Sequence, residues 1–181
     1  MVKSRPSGSN YKGFSDPSVT KIEWYRGHTT RNPVHLKNER VSSSLLSGDL
    51  SESKKMIVAQ YEKTAKGRFL YAHSIPPIVF DKKSLGHHFS RSNISKQKLS
   101  ILSDYGKMNQ LLSKGTVLEE RIRTTSSKGN VKGYKKEWIR LWKVKGRTFI
   151  GNKDHTFTFT ISQSKNEKQA RVYDFKLHRK K

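Results

Sequence analysis

The sequence predicts an α+β fold: an antiparallel sheet drawn mainly from the C-terminal half, packed against one amphipathic helix, with an N-terminal hairpin and flexible basic tails. Three observations carry that prediction. From residue 116 onward, apolar residues recur with period two in three or four consecutive segments joined by short connections. Residues 96–113 carry one apolar stripe at helical spacing. The eight Phe, seven Tyr and three Trp supply bulky core material despite a hydrophobic content of only 32%, which argues against a wholly disordered chain.

In chain order, residues 1–20 are rich in Ser, Pro, Gly and Lys without any period and are expected to form a flexible basic arm. KIEWYRGH (21–28) reads as a short strand. Residues 29–50, polar and interrupted by Pro33, read as loop. Between 55 and 75 two alternating runs flank the turn-like TAKG, which favours a hairpin ended by Pro76-Pro77; a helix from Ser51 is the rival reading.

The clearest helix is KQKLSILSDYGKMNQLLS (96–113), where Ile101, Tyr105, Met108 and Leu112 form the stripe. Ser95 is the candidate N-cap and Gly115 the stop. Gly106 inside it costs about 1 kcal/mol relative to alanine. TVLEERIRTT then reads as a strand, SSKGNVKGYKK as a glycine-bearing basic loop, and EWIRLWKV as a strand ending in a turn at KGR. DHTFTFTIS places Phe157, Phe159 and Ile161 opposite Thr156, Thr158 and Thr160. In ARVYDFKLHRKK, strict alternation puts Tyr173, Phe175 and Leu177 on one face and Asp174, Lys176 and His178 on the other. The organisation expected is an arm over 1–20, a single compact α+β domain over 21–177 and a basic tail over 178–181.

Charge dominates the functional reading. Lys+Arg is 38 against 14 Asp+Glu, a formal net charge of +24 with pI about 10.3. Such a charge repels itself in a compact state, so a polyanionic partner is expected. The field is uneven: residues 1–90 carry net +8 and residues 91–181 net +16. The excess of lysine, 26 against 12 arginines, favours point-charge contacts to phosphate over bidentate readout of guanine.

Several classes are excluded or disfavoured. Without cysteine there are no disulfides, thiolate metal sites or thiol nucleophiles. The first twenty residues lack the apolar core of a signal peptide, and no apolar run reaches the roughly 20 residues needed to span a bilayer. The expected location is therefore intracellular, cytoplasm or nucleus, in a ribonucleoprotein particle or a virion. Glu119 and Glu120 are adjacent and point to opposite faces of a strand, a poor geometry for paired carboxylates. His87-His88 lacks a nearby carboxylate to complete a metal set, and Arg26, His28 and Arg31 lack an evident catalytic partner. Phosphate-binding glycine motifs are absent. No enzymatic activity, cofactor, metal or small-molecule substrate is expected.

The segment GYKKEWIRLWKVKGRTFIGNK (133–153) combines seven lysines and arginines with two tryptophans. As a strand it presents Trp138, Arg140, Trp142 and Val144 on one side and Ile139, Leu141, Lys143 and Lys145 on the other. The core accounts for both tryptophans; the sharper alternative exposes one ring among cations as a platform for bases. The expected nucleic-acid contacts are Lys128, Lys132, Lys135, Lys136, Arg140, Lys143, Lys145, Arg147 and Lys153, with Tyr134 and Trp142 as stacking candidates. They imply a non-enzymatic structural or packaging protein that binds the backbone of nucleic acid, RNA ahead of DNA, through a lysine-rich sheet and loop surface. The alternative is a matrix-type viral or assembly protein. It would self-associate as a homo-oligomer and bridge a ribonucleoprotein to an anionic membrane surface, with SIPPIVF (74–80) and SSLLSGDL (43–50) as candidate apolar contacts.

Overall fold

Four long strands of nine to thirteen residues and three helices surround the core, in a computed structural model that describes residues 33–37, 50–85, 95–124, 138–164 and 166–180. The elements are β1 (Val34–Leu36), α1 (Leu50–Ala65), β2 (Ile78–Val79), α2 (Lys96–Leu102), α3 (Tyr105–Lys114), β3 (Thr116–Thr124), β4 (Trp138–Ile150), β5 (Lys153–Ser164) and β6 (Ala170–Arg179). The fold is mixed α+β, as expected. The antiparallel meander β3–β4–β5–β6 forms its body. Two corrections apply to the architecture: β1 and β2 join the sheet in parallel, on β4 and β6 respectively, and three helices replace the single one predicted. The sheet order is β1-β4-β5-β6-β2, with β3 pairing the first half of β4 while β1 pairs its end.

The 55–75 hairpin is not formed; its first half is α1. Ile57, Tyr61 and Ala65 recur every four residues and are buried, with Val58 beside them. This is a helical stripe that a short alternating window imitates. The helix ends at Lys66 (φ 49) and Gly67 (φ 74), both left-handed. Arg68 then turns its Nε back onto the Ala65 carbonyl at 3.1 Å. The second half makes one bridge, Leu70 to Ile78, and is otherwise tied to α3 through Tyr71 N to Asn109 Oδ1 at 3.1 Å and the Tyr105 hydroxyl to the Phe69 carbonyl at 3.1 Å; Pro76 and Pro77 have no N–H to extend a ladder. Loop was expected over 29–50, yet Val34–Leu36 is a strand; the buried Thr148 hydroxyl donates to the Val34 carbonyl at 2.8 Å and pins it. The 21–28 strand lies outside the described residues.

The predicted 96–113 helix breaks once. Ser95 caps α2 by accepting from Lys98 N at 3.2 Å, and Gly115 ends α3, both as expected. Between them Ser103 closes α2, and Asp104 leaves helical geometry to accept from Lys107 N at 3.1 Å, starting α3 afresh. Gly106 therefore sits in the first turn of a new helix instead of mid-helix. The apolar stripe survives the break: Ile101, Tyr105, Met108 and Leu112 are all buried. A hydroxyl locks two helices together, since Thr64 accepts from Tyr105 N at 2.8 Å while donating to the Tyr61 carbonyl.

The helices cover one side of the sheet only, against Trp142, Val144, Phe157, Phe159, Ile161, Val172 and Phe175, all at most 1% exposed. Phe159 stacks on Phe175 at 4.4 Å and meets Phe157 edge-on, arrangements contributing about 0.5–1.5 kcal/mol each beyond burial. The turn expected at KGR is absent, and β4 runs straight through Gly146. There the Phe157 ring lies so close that a Cβ would stand 2.4 Å from its Cζ. The glycine admits a ring, not a turn. The real turn is Gly151-Asn152, a two-residue loop with Gly151 at φ 59, the position a II′ hairpin reserves for glycine.

In β6 a bulge corrects the alternation. Thr160 pairs with Asp174 but Ile161 with Val172, so Tyr173 is an extra residue. Val172 and Phe175 both point inward, and Tyr173 is 43% exposed. The strand also takes in His178 and Arg179, which were expected to be tail.

Candidate nucleic-acid interface

The side of the sheet facing away from the helices carries a row of basic side chains. Cross-strand partners share a face, so the register assembles this surface row by row. The β4 residues Lys143, Lys145 and Arg147 pair with Thr160, Thr158 and Thr156 of β5, which pair in turn with Asp174, Lys176 and His178 of β6. The result is a line of three hydroxyls with Lys143, Lys145 and Arg147 on one flank and Asp174, Lys176 and His178 on the other. Rows are about 6.6 Å apart along the strands, and the two flanking strands about 10 Å apart across them. Threonines of this line are half-buried, Lys145 and Arg147 are exposed, and the Lys176 side chain keeps 62% of its surface.

On β5 and β6 this face also holds Asp154 and Asp174, each met by a cation, and the register sets Glu119 of β3 opposite Lys143. Arg147 grips Asp154 with Nε at 2.9 Å and Nη2 at 2.6 Å from Oδ2. Those hydrogen bonds hold the Asp154 carboxyl below its ordinary range and raise the guanidinium correspondingly. Asp174 lies 3.9 Å from Lys176 Nζ. Arg147 also stands over the Phe149 ring at 5.4 Å, and Phe149 stacks on His35 of β1 at 5.2 Å with 11° between the planes. His35 is exposed, since Val34 and Leu36 on either side of it turn inward.

Of the predicted contacts, Lys143, Lys145 and Arg147 come together on this surface. Arg140 does not: it lies on the Trp142 side and is bound to Glu120, with Nε at 2.7 Å from Oε1. Trp142 is a correction to the stacking assignment. It is 1% exposed, in the core, with the Arg140 guanidinium 5.1 Å over its ring. Its Nε1–H is buried without an acceptor among the described residues. Trp142 is inward because its neighbours across the sheet, Ile161 and the residues beyond, all face the helices. For Trp138 the described fact is its place at the start of β4. Lys153 is exposed at the hairpin end on the face shared with Ile150, away from the hydroxyl line. Lys128, Lys132, Tyr134, Lys135 and Lys136 lie outside the described residues.

Sequence reasoning missed three contributors: the threonines, Lys176 with His178 on the second flank, and the His35–Phe149 stack. The alternation of TFTFT and of DFKLH was visible, but only the register sets those outward residues beside the lysines of β4.

Among the described residues no three His, Asp or Glu side chains gather as a metal set, and no helix is long and apolar enough to cross a membrane. Compared with known families, curated proteins and solved structures, the chain matches none.

Proposed function

We propose that the protein binds the phosphate backbone of nucleic acid, RNA ahead of DNA, in a non-enzymatic structural or packaging role. The observation that carries this reading is the outer face of β4–β5–β6, where Lys143, Lys145, Lys176 and His178 flank the hydroxyls of Thr156, Thr158 and Thr160. Lysine ammonium groups and threonine hydroxyls are the donors that backbone phosphates accept from, and they carry no base preference. The two arginines of β4 are already held by Glu120 and Asp154, which leaves point-charge contacts as the main term. The chain's charge of +24 supplies the long-range attraction.

The matrix-type reading stands second. It calls for an exposed apolar patch, and in SIPPIVF the side chains of Ile75, Ile78 and Phe80 are at most 8% exposed. The segment 43–49 lies outside the described residues.

The test is purification at low and at high salt with the ratio of absorbance at 260 and 280 nm followed. Nucleic acid that co-purifies at low salt, is shed at high salt, and is reduced by Lys145→Ala with Lys176→Ala supports the reading. Clean protein at low salt that pellets with anionic liposomes after nuclease treatment would replace it with the membrane-bridging alternative.

A further inference from the structure

The hydroxyl line ends in aromatic rings at one end. His35, Phe149 and Asp154 form the row beyond Arg147, Thr156 and His178. His35 and Phe149 lie parallel, 5.2 Å apart and 11° from coplanar, and Arg147 is fixed over Phe149 by its paired contact with Asp154. Three features set this cluster apart from packing. The stack stands on the sheet side that the helices leave uncovered, although Val34 and Leu36 show that β1 has apolar residues to bury and buries them elsewhere. His35 keeps its ring exposed in spite of the stack. Arg147 brings a planar cation to the same rings, whose charge Asp154 offsets, so the cluster attracts a flat ring without adding a second phosphate site.

We propose that His35 and Phe149 form a base-stacking platform at the end of the phosphate track, so that the protein prefers single-stranded nucleic acid with an unpaired base over duplex. This proposal rests on the backbone-binding reading above and adds to it a site for the base. A flat nucleobase continues the existing parallel stack on the exposed His35 ring, while its strand runs along Thr156, Thr158 and Thr160 between the lysines. Stacking of this kind is tolerant of base identity, because every base offers a π-face. The duplex, whose bases are already stacked on each other, cannot use the site.

The experiment measures binding of the full chain, by fluorescence anisotropy, to three probes of equal length: single-stranded oligouridylate, an abasic ribose-phosphate strand, and blunt duplex RNA. The expected result is that the base-bearing strand binds about tenfold more tightly than the abasic one. His35→Ala, an exposed position, removes that advantage by weakening the base-bearing strand about tenfold more than the abasic one; His35→Tyr keeps it. Phe149→Leu acts in the same direction as His35→Ala. Equal binding of base-bearing and abasic strands by the natural chain overturns the platform while leaving the backbone reading intact. An equal loss on both strands in His35→Ala, or no rescue by His35→Tyr, also overturns it. Failure of all three probes to bind at low salt overturns both.

Discussion

Gly146 and Tyr173 show how a single position redirects the reading of a strand. Glycine in KGR looks like a turn, yet its role is to let the Phe157 ring pass at 2.4 Å from where a Cβ would be. Gly146→Ala is therefore expected to cost about 1–3 kcal/mol by overpacking, measured by chemical denaturation, with nucleic-acid affinity of the folded protein unchanged. The same mechanism explains why the turn was not legible: a glycine chosen for a neighbour's ring and one chosen for its φ look alike in sequence. Asp81 offers a second test at this scale. Burial opposes its ionisation, but hydrogen bonds from the Ser84 N–H and hydroxyl, then the Arg171 guanidinium, outweigh it, and the carboxyl is held below its ordinary value. A depressed folded value means stability that is present above the unfolded value of about 3.9 and lost as pH falls through the folded one. Asp81→Asn should flatten this acid limb, by less than about 1 kcal/mol since the pair is partly exposed. An unchanged pH profile of thermal unfolding would contradict the assignment.

Among the elements, β3, β5, β6 and the first half of β4 were legible because period-two patterning repeats in each, whereas β1 and β2 have three and two residues and leave no period to detect. Strand pairing with distant partners creates them: β1 exists because Thr148 and the end of β4 offer it a ladder. Helix α1 was misread for the opposite reason, its central residues satisfying both a strand and a helix pattern until Ala65 extends the stripe. The α2–α3 break was hidden in a continuous stripe and is explained by Asp104, whose side chain accepts from Lys107 N and so competes with helix continuation. Asp104→Ala removes the cap of α3 and is expected to destabilise by about 1 kcal/mol, read from the denaturation midpoint. An unaffected midpoint would mean that the two helices are held apart by tertiary packing alone.

For the whole molecule, the charge motivates the proposed polyanionic partner and the pattern predicted a two-faced sheet, but the surface itself depends on register. The tryptophan in the basic run belongs to the core and the lysines beside it belong to the open face, since alternate residues of β4 go to opposite sides. In a Trp24→Phe, Trp138→Phe variant, Trp142 should accordingly emit as a buried indole and stay unchanged on addition of RNA. The central claim, that Lys145 and Lys176 flank a phosphate track, is tested most directly by the salt dependence of affinity for a short single-stranded RNA. The expected result is a steep linear fall of log affinity with log salt, and a slope reduced by about 1.4 when both lysines become alanine, about 0.7 for each contact removed. A flat response in the natural chain, or a slope that the double substitution leaves unchanged, would contradict it.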